Sequence, residues 1–283
     1  MARRLHFTLP LCGAIALAAC APHKGNGNNN TTDPMSDTES QALADDGTDT
    51  SASEGDAVSL TGTLLSSSGS SLGLASESGS DLSLENVGNG ARLFFLPVGC
   101  LTTENPTAAS VRYTFAQCTG PRGLTKLTGA VDVTYANANG TLTLDIKSEG
   151  LQVNRATIDW NAKATITASG AMRTMSWTGH FTGVTRGGRQ ITRDNTKTVT
   201  WTVGDSCFEI NGTSEGIIGT RTVKTELITY KRCKASCPEA GSEIRITHVT
   251  LGKRVDLTYG SGEATFTDAA GDKITFTPLC ASL

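Results

Sequence analysis

Thiols are the side chains best equipped for chemistry in this chain, which carries eight cysteines and four histidines in 283 residues. A thiol can act as nucleophile, metal ligand, disulfide partner or acylation site, and its neighbours decide which. Cys233-x-x-x-Cys237 has the opening spacing of a zinc site, but no second Cys/His pair follows at a suitable distance, so no metal is expected. His180 alternates with threonines, which places it on a solvated face, and His248 follows Ile244 and Ile246 in alternation, which makes it partly buried. There is no G-x-S-x-G elbow, H-E-x-x-H helix, phosphate loop or dinucleotide fingerprint. Asp159, Asp256 and Asp268 stand singly among Thr and Lys, as on a wetted sheet face. No catalytic residue and no cofactor are therefore expected. A hydrolase built from dispersed acids is the third-ranked reading, and carboxylates about 5–9 Å apart across a cleft would be its mark.

Cys20 has the most informative neighbours. Arg3 and Arg4 precede an apolar run from Leu5 to Ala19, too short to cross a bilayer of about 30 Å as a helix. The run has the shape of a secretory signal and is set aside from the fold. It ends in Leu17-Ala18-Ala19-Cys20, which resembles the lipobox of bacterial lipoprotein precursors. The resemblance implies cleavage before Cys20, a diacylglycerol on its thiol and acylation of the new amine. At about 0.8 kcal/mol per buried CH₂, two or three chains hold a protein at a membrane where one would not. Ala21 stands where many inner-membrane lipoproteins carry Asp, so the resemblance favours the outer membrane, with its face left open. Cys12 leaves with the signal, residues 1–19.

Residues 20–57 read as a lipidated cysteine and a disordered acidic tether. Eight acids, among them Asp45, Asp46, Asp49 and Glu54, face a single Lys24. Asp45-Asp46-Gly47 hints at calcium but lacks a closing bidentate Glu, so it is read as solvated linker. A flexible chain of this length spans about 35 Å. The whole chain is −3; with the two arginines of the signal and this acidic stretch removed, residues 58–283 are about +2. No basic block points to nucleic acid.

Residues 58–283 read as an all-β domain with strong strand alternation. Ala156, Ile158, Trp160, Ala162, Ala164 and Ile166 share one parity, and Thr157, Asp159, Asn161, Lys163 and Thr165 the other. Met175, Trp177 and Phe181 repeat the pattern, a turn is expected at Arg186-Gly187-Gly188-Arg189, and Val199, Trp201 and Val203 return. Trp160, Trp177 and Trp201 then lie in one core layer, in preference to an exposed glycan-binding row. Val131, Val133 and Tyr135 turn at Asn137–Gly140 into Leu142, Leu144 and Ile146. Val255, Leu257 and Tyr259 turn into Ala264 and Phe266, and these into Ile274 and Phe276. The expectation is an antiparallel meander forming an elongated sandwich, barrel or curled sheet, either one domain or two subdomains split near 205. Residues 66–81, rich in Ser and Gly, read as a loop.

With Cys12 and Cys20 assigned, six cysteines remain, and an exported chain pairs them. Cys100 and Cys118 flank a hairpin whose loop would hold Asn105-Pro106. Cys207 and Cys233 are symmetric about a turn near Glu215–Gly219. Cys237 and Cys280 are left as the third pair; they bracket the last four strands, about 14 Å apart in a flat sheet, so this bond requires the sheet to curl.

The Cys237-Pro238-x-x-Gly241 turn and the Thr-rich strands resemble a diffuse set of uncharacterised bacterial surface and secreted proteins. The expectation is an outer-membrane lipoprotein whose body is a non-catalytic structural or surface-contact module, partnered by the membrane through its lipid and by a cell-envelope component. A module binding a glycan or an apolar molecule is the alternative, and exposed tryptophans or an interior cavity would favour it.

Overall fold

The computed structural model describes residues 35–66, 91–92, 95–119, 126–138, 141–185, 187–202, 207–233 and 238–277. Cys20, Cys237 and Cys280, the signal and all but the first residue of the 66–81 stretch lie outside them.

A long helix precedes a long meander. The helix, α1, spans Asp37–Ser66. The strands are β1 (Leu101–Thr107), β2 (Ser110–Thr119), β3 (Lys126–Ala138), β4 (Thr141–Val153), β5 (Ala156–Ser169), β6 (Met172–Val184), β7 (Gln190–Thr202), β8 (Cys207–Ile218), β9 (Arg221–Cys233), β10 (Glu243–His248), β11 (Lys253–Tyr259), β12 (Ala264–Thr267) and β13 (Lys273–Phe276). They form a single 13-stranded sheet in chain order. β7 and β8, the strands on either side of position 205, are paired with each other from Ile191↔Ile218 to Thr200↔Glu209. Alternation forces one side inward: in β5, Ala156, Ile158, Trp160, Ala162, Ala164 and Ile166 are buried and the residues between them are largely exposed. Trp160, Trp177 and Trp201 are 2%, 1% and 7% exposed, so they belong to the core and form no glycan platform.

The sheet is curled. α1 lies against β8, β9, β10 and β11 and also touches β4. In a flat sheet β4 and β8 would be about 19 Å apart, so one helix reaches both only because the sheet wraps around it.

α1 corrects the tether reading for residues 37–57. Low hydrophobicity argues for disorder there, but Ser36 and Glu39 open a capping box: the Glu39 amide donates to Ser36 Oγ at 3.3 Å. Asp37 and Glu39 in the first turn favour the positive end of the helix dipole. Leu43, Val58, Leu60 and Leu64 are buried, and the buried acids of α1 meet cations of the sheet. The helix is stable by docking, a contribution that composition does not report.

Among the described residues two disulfides staple the sheet. Cys100–Cys118 joins β2 to the residue before β1, with Cα atoms 5.3 Å apart. Cys207–Cys233 joins the paired ends of β8 and β9, with Cα atoms 4.0 Å apart. Asn105-Pro106 is not the hairpin loop; it lies within β1, at an irregularity between Glu104 and Thr107. A proline is tolerated there because β1 is an edge strand. The β8–β9 turn is at residues 219–220, and Glu215–Ile218 is strand.

Because neighbouring strands run antiparallel, the turns gather at two ends. The β2–β3, β4–β5, β6–β7, β8–β9, β10–β11 and β12–β13 connections share one end, here called the mouth. The other connections form the far end.

Candidate functional site

The inward parity of β7 is unusual. It reads Ile191, Arg193, Asn195, Lys197, Val199 and Trp201, with all six buried. Room for the middle three comes from their cross-strand neighbours. Arg193 lies opposite Gly216 and Lys197 opposite Gly212 on β8, while Asn195 lies opposite Gly179 on β6. A Cβ on Gly179 would stand 2.9 Å from Trp177 Nε1 and 3.3 Å from Asn195 Oδ1. Its absence lets Trp177 Nε1 donate to Asn195 Oδ1 at 2.8 Å. Gly212, Ser214 and Gly216 thus make a shallow bed on β8 beside two buried cations.

α1 fills that bed with Glu54, whose side chain is 0% exposed. Lys197 Nζ donates to Glu54 Oε2 at 2.8 Å, and Ser214 Oγ donates to the same oxygen. Arg193 Nη1 stands 3.3 Å from Glu54 Oε1 as an ion pair. Arg193 Nη2 donates to the Ser214 carbonyl at 2.6 Å and to Thr225 Oγ1 at 2.9 Å. Burial by itself would raise the Glu54 pKa. Lys197 and Arg193, with the hydrogen bonds from Lys197 and Ser214, outweigh it and hold the carboxyl below its ordinary range. Burial lowers the Arg193 pKa, and Glu54 offsets part of that loss.

A second contact lies at the mouth. Asp46 Oδ2 accepts from Arg221 Nη1 at 2.7 Å, and Asp46 Oδ1 is 3.2 Å from Arg189 Nε. Asp49 Oδ2 accepts the Gly187 amide at 3.0 Å. These partners belong to the β6–β7 and β8–β9 turns, so the early part of α1 passes the mouth. Gly62, near its other end, approaches Phe208 at the start of β8. The helix therefore runs along the strands from mouth to far end. Two glycines allow the fit: a Cβ on Gly47 would stand 2.6 Å from Ile246 Cγ2, and one on Gly62 3.0 Å from Phe208 Cε1.

This arrangement fastens a helix into a sheet. The carboxylate is enclosed and its hydrogen bonds come from the protein itself, so its chemistry is that of a counter-ion. No protein-family model, curated protein or solved structure matches this chain. The reading therefore rests on the residues alone.

The residues singled out from sequence fall elsewhere. His180 is exposed and its Nδ1 is 2.7 Å from Asp194 across the strands. His248 is buried at the mouth end of β10. Asp159 accepts the Gly150 amide, Asp268 accepts the Ala270 and Asp272 amides, and Asp256 pairs with Arg254. These carboxylates each serve a local contact. Among the described residues no group of three or more His, Cys, Asp or Glu side chains converges. Asp46, read as linker, is instead paired with two arginines.

Sequence reasoning missed Glu54, Arg193 and Lys197 as a unit. The signal was present: two cations on the apolar parity of a strand require a buried acid, and the unassigned acids lay upstream.

Proposed function

We propose that this protein is an outer-membrane lipoprotein, lipidated at Cys20, whose sheet is a rigid non-catalytic module for structural or contact roles in the cell envelope. The single observation that carries the reading is the Leu17-Ala18-Ala19-Cys20 lipobox behind a short basic and apolar start. Two stapled hairpins are in keeping with an oxidising compartment. The contact role is favoured over ligand carriage because the curled sheet encloses its own helix and buries its tryptophans. Docking of α1 also shortens the standoff: sixteen residues, 21–36, separate Cys20 from the helix, and read as a tether they would span about 22 Å in place of about 35 Å.

The test is palmitate labelling of the native protein and of Cys20→Ala, with protease access on whole cells. The reading expects label on the native protein alone. Label retained at the N-terminus of Cys20→Ala would overturn it. Access from outside separates a surface module from a periplasmic one.

A further inference from the structure

We propose that the protein stands end-on at the lipid surface, with the mouth of the curled sheet facing the membrane and the far end presented outward. This rests on lipidation of Cys20.

The first argument is where the anchored chain leaves the body. Asp46 and Asp49 fix the early part of α1 to the β6–β7 and β8–β9 turns through Arg189, Arg221 and the Gly187 amide. Residues 37–45, the opening of α1 and the side of the helix toward Cys20 in the chain, precede that contact. The helix lies along the strands, so a pull on the anchor acts along the long axis. Strands of 13 residues, such as β4 and β6, hold the two ends about 43 Å apart. Read as a tether, the sixteen residues 21–36 would span about 22 Å root-mean-square, about half the length of that body, so the end they join is the near one.

The second argument is charge. A basic residue stands at each of the six mouth connections: Lys126, Arg155, Arg189, Arg221, Lys253 and Lys273. Arg189 and Arg221 are engaged by Asp46. Lys126 and Arg155 are exposed on adjacent turns, where Asn154 Oδ1 accepts the Lys126 amide at 3.0 Å. Acids share this end: Asp268 and Asp272 at the β12–β13 turn, and Asp37, Glu39 and Asp45 on α1. Asp268 is occupied by backbone amides. Seven acids, with Asp46 and Asp49 counted, offset these six cations over the end as a whole, so the local pair of exposed cations, Lys126 and Arg155 on the β3 to β5 side, is what meets anionic headgroups. At the far end the β1–β2 and β5–β6 turns, residues 108–109 and 170–171, carry only Ala and Gly, and the cations gather at the end of β9, at Lys231 and Arg232.

The experiment uses the full lipidated chain in phosphatidylethanolamine/phosphatidylglycerol vesicles carrying a headgroup acceptor dye. A donor is placed at the mouth through Gln190→Cys or at the far end through Ala171→Cys, both exposed positions. Energy transfer is expected to be several-fold greater from position 190. In parallel, the wild-type chain is treated with a water-soluble amine-acylating reagent. Lys126 and Lys253 are expected to be protected on vesicles, and the mid-sheet Lys163 to be unaffected. Equal or reversed transfer, or protection of Lys163 in place of Lys126, overturns the end-on mount while leaving the anchor intact. If the protein fails to float with the vesicles, the lipid-anchor reading fails and the mount falls with it.

Discussion

Glu54 of α1 and Lys197 of β7 meet at 2.8 Å inside the sheet, though 143 residues separate them in the chain. The contact joins the acidic N-terminal segment to the core of the meander. It also explains why α1 survives without an apolar face of ordinary width: its docking relies on a carboxylate set between two buried cations and on glycines that let its backbone approach the sheet.

Removing Glu54 leaves Arg193 and Lys197 buried without their counter-ion. Breaking a buried pair from one side costs about 3–5 kcal/mol, so Glu54→Ala should lower Tm by roughly 10 °C. Lys197→Met should destabilise the native protein yet raise the stability of Glu54→Ala, because one unpaired cation is then gone. Thermal melts of the two single variants and the double variant check this reversal of sign. Simple additivity would refute the coupling.

Acid should release the helix late. The Glu54 pKa is lowered in the folded protein from its ordinary 4.5. Its contribution to stability is therefore complete above that value and is lost as pH falls through the lower folded value. The stability difference between native protein and Glu54→Gln should be constant from pH 7 to 5 and shrink below about 4. Urea melts across that range measure it; a difference that shrinks between pH 7 and 5 would contradict the assignment.

Two glycines of α1 should respond oppositely to the same change. A Cβ on Gly55 meets nothing within 4 Å, so Gly55→Ala should gain about 1 kcal/mol from helix propensity. A Cβ on Gly47 runs into Ile246, so Gly47→Ala should lose about 1–3 kcal/mol through overpacking. If the segment were an undocked chain, neither variant would shift the melt.

Peptide mapping without reductant should recover Cys100–Cys118 and Cys207–Cys233, with Cys237–Cys280 as the remaining pair. Cys207→Ser with Cys233→Ser opens a separation of 26 residues and should cost about 2–4 kcal/mol.

The strands were legible because one face is apolar and the other wet. Trp160, Trp177 and Trp201 announced their side by parity alone, and the Cys207–Cys233 pair followed from hairpin symmetry. The helix was not legible from composition, because its stabilising partners lie far along the chain and are charged. Its cap was legible: Ser36-Asp37-Thr38-Glu39 is a capping box that local reading could have used. Arg193 and Lys197 were likewise visible as cations on a buried parity, but only the three-dimensional curl shows that Glu54 answers them.

Amide hydrogen exchange along α1 tests the central claim, that the acidic segment is part of the folded body, most directly. Amides from Leu43 to Val58 in the native full-length chain should be protected to the same order as those of β7 to β9. Exchange of these amides at the rate of an unstructured chain, with β7 to β9 still protected, would contradict it.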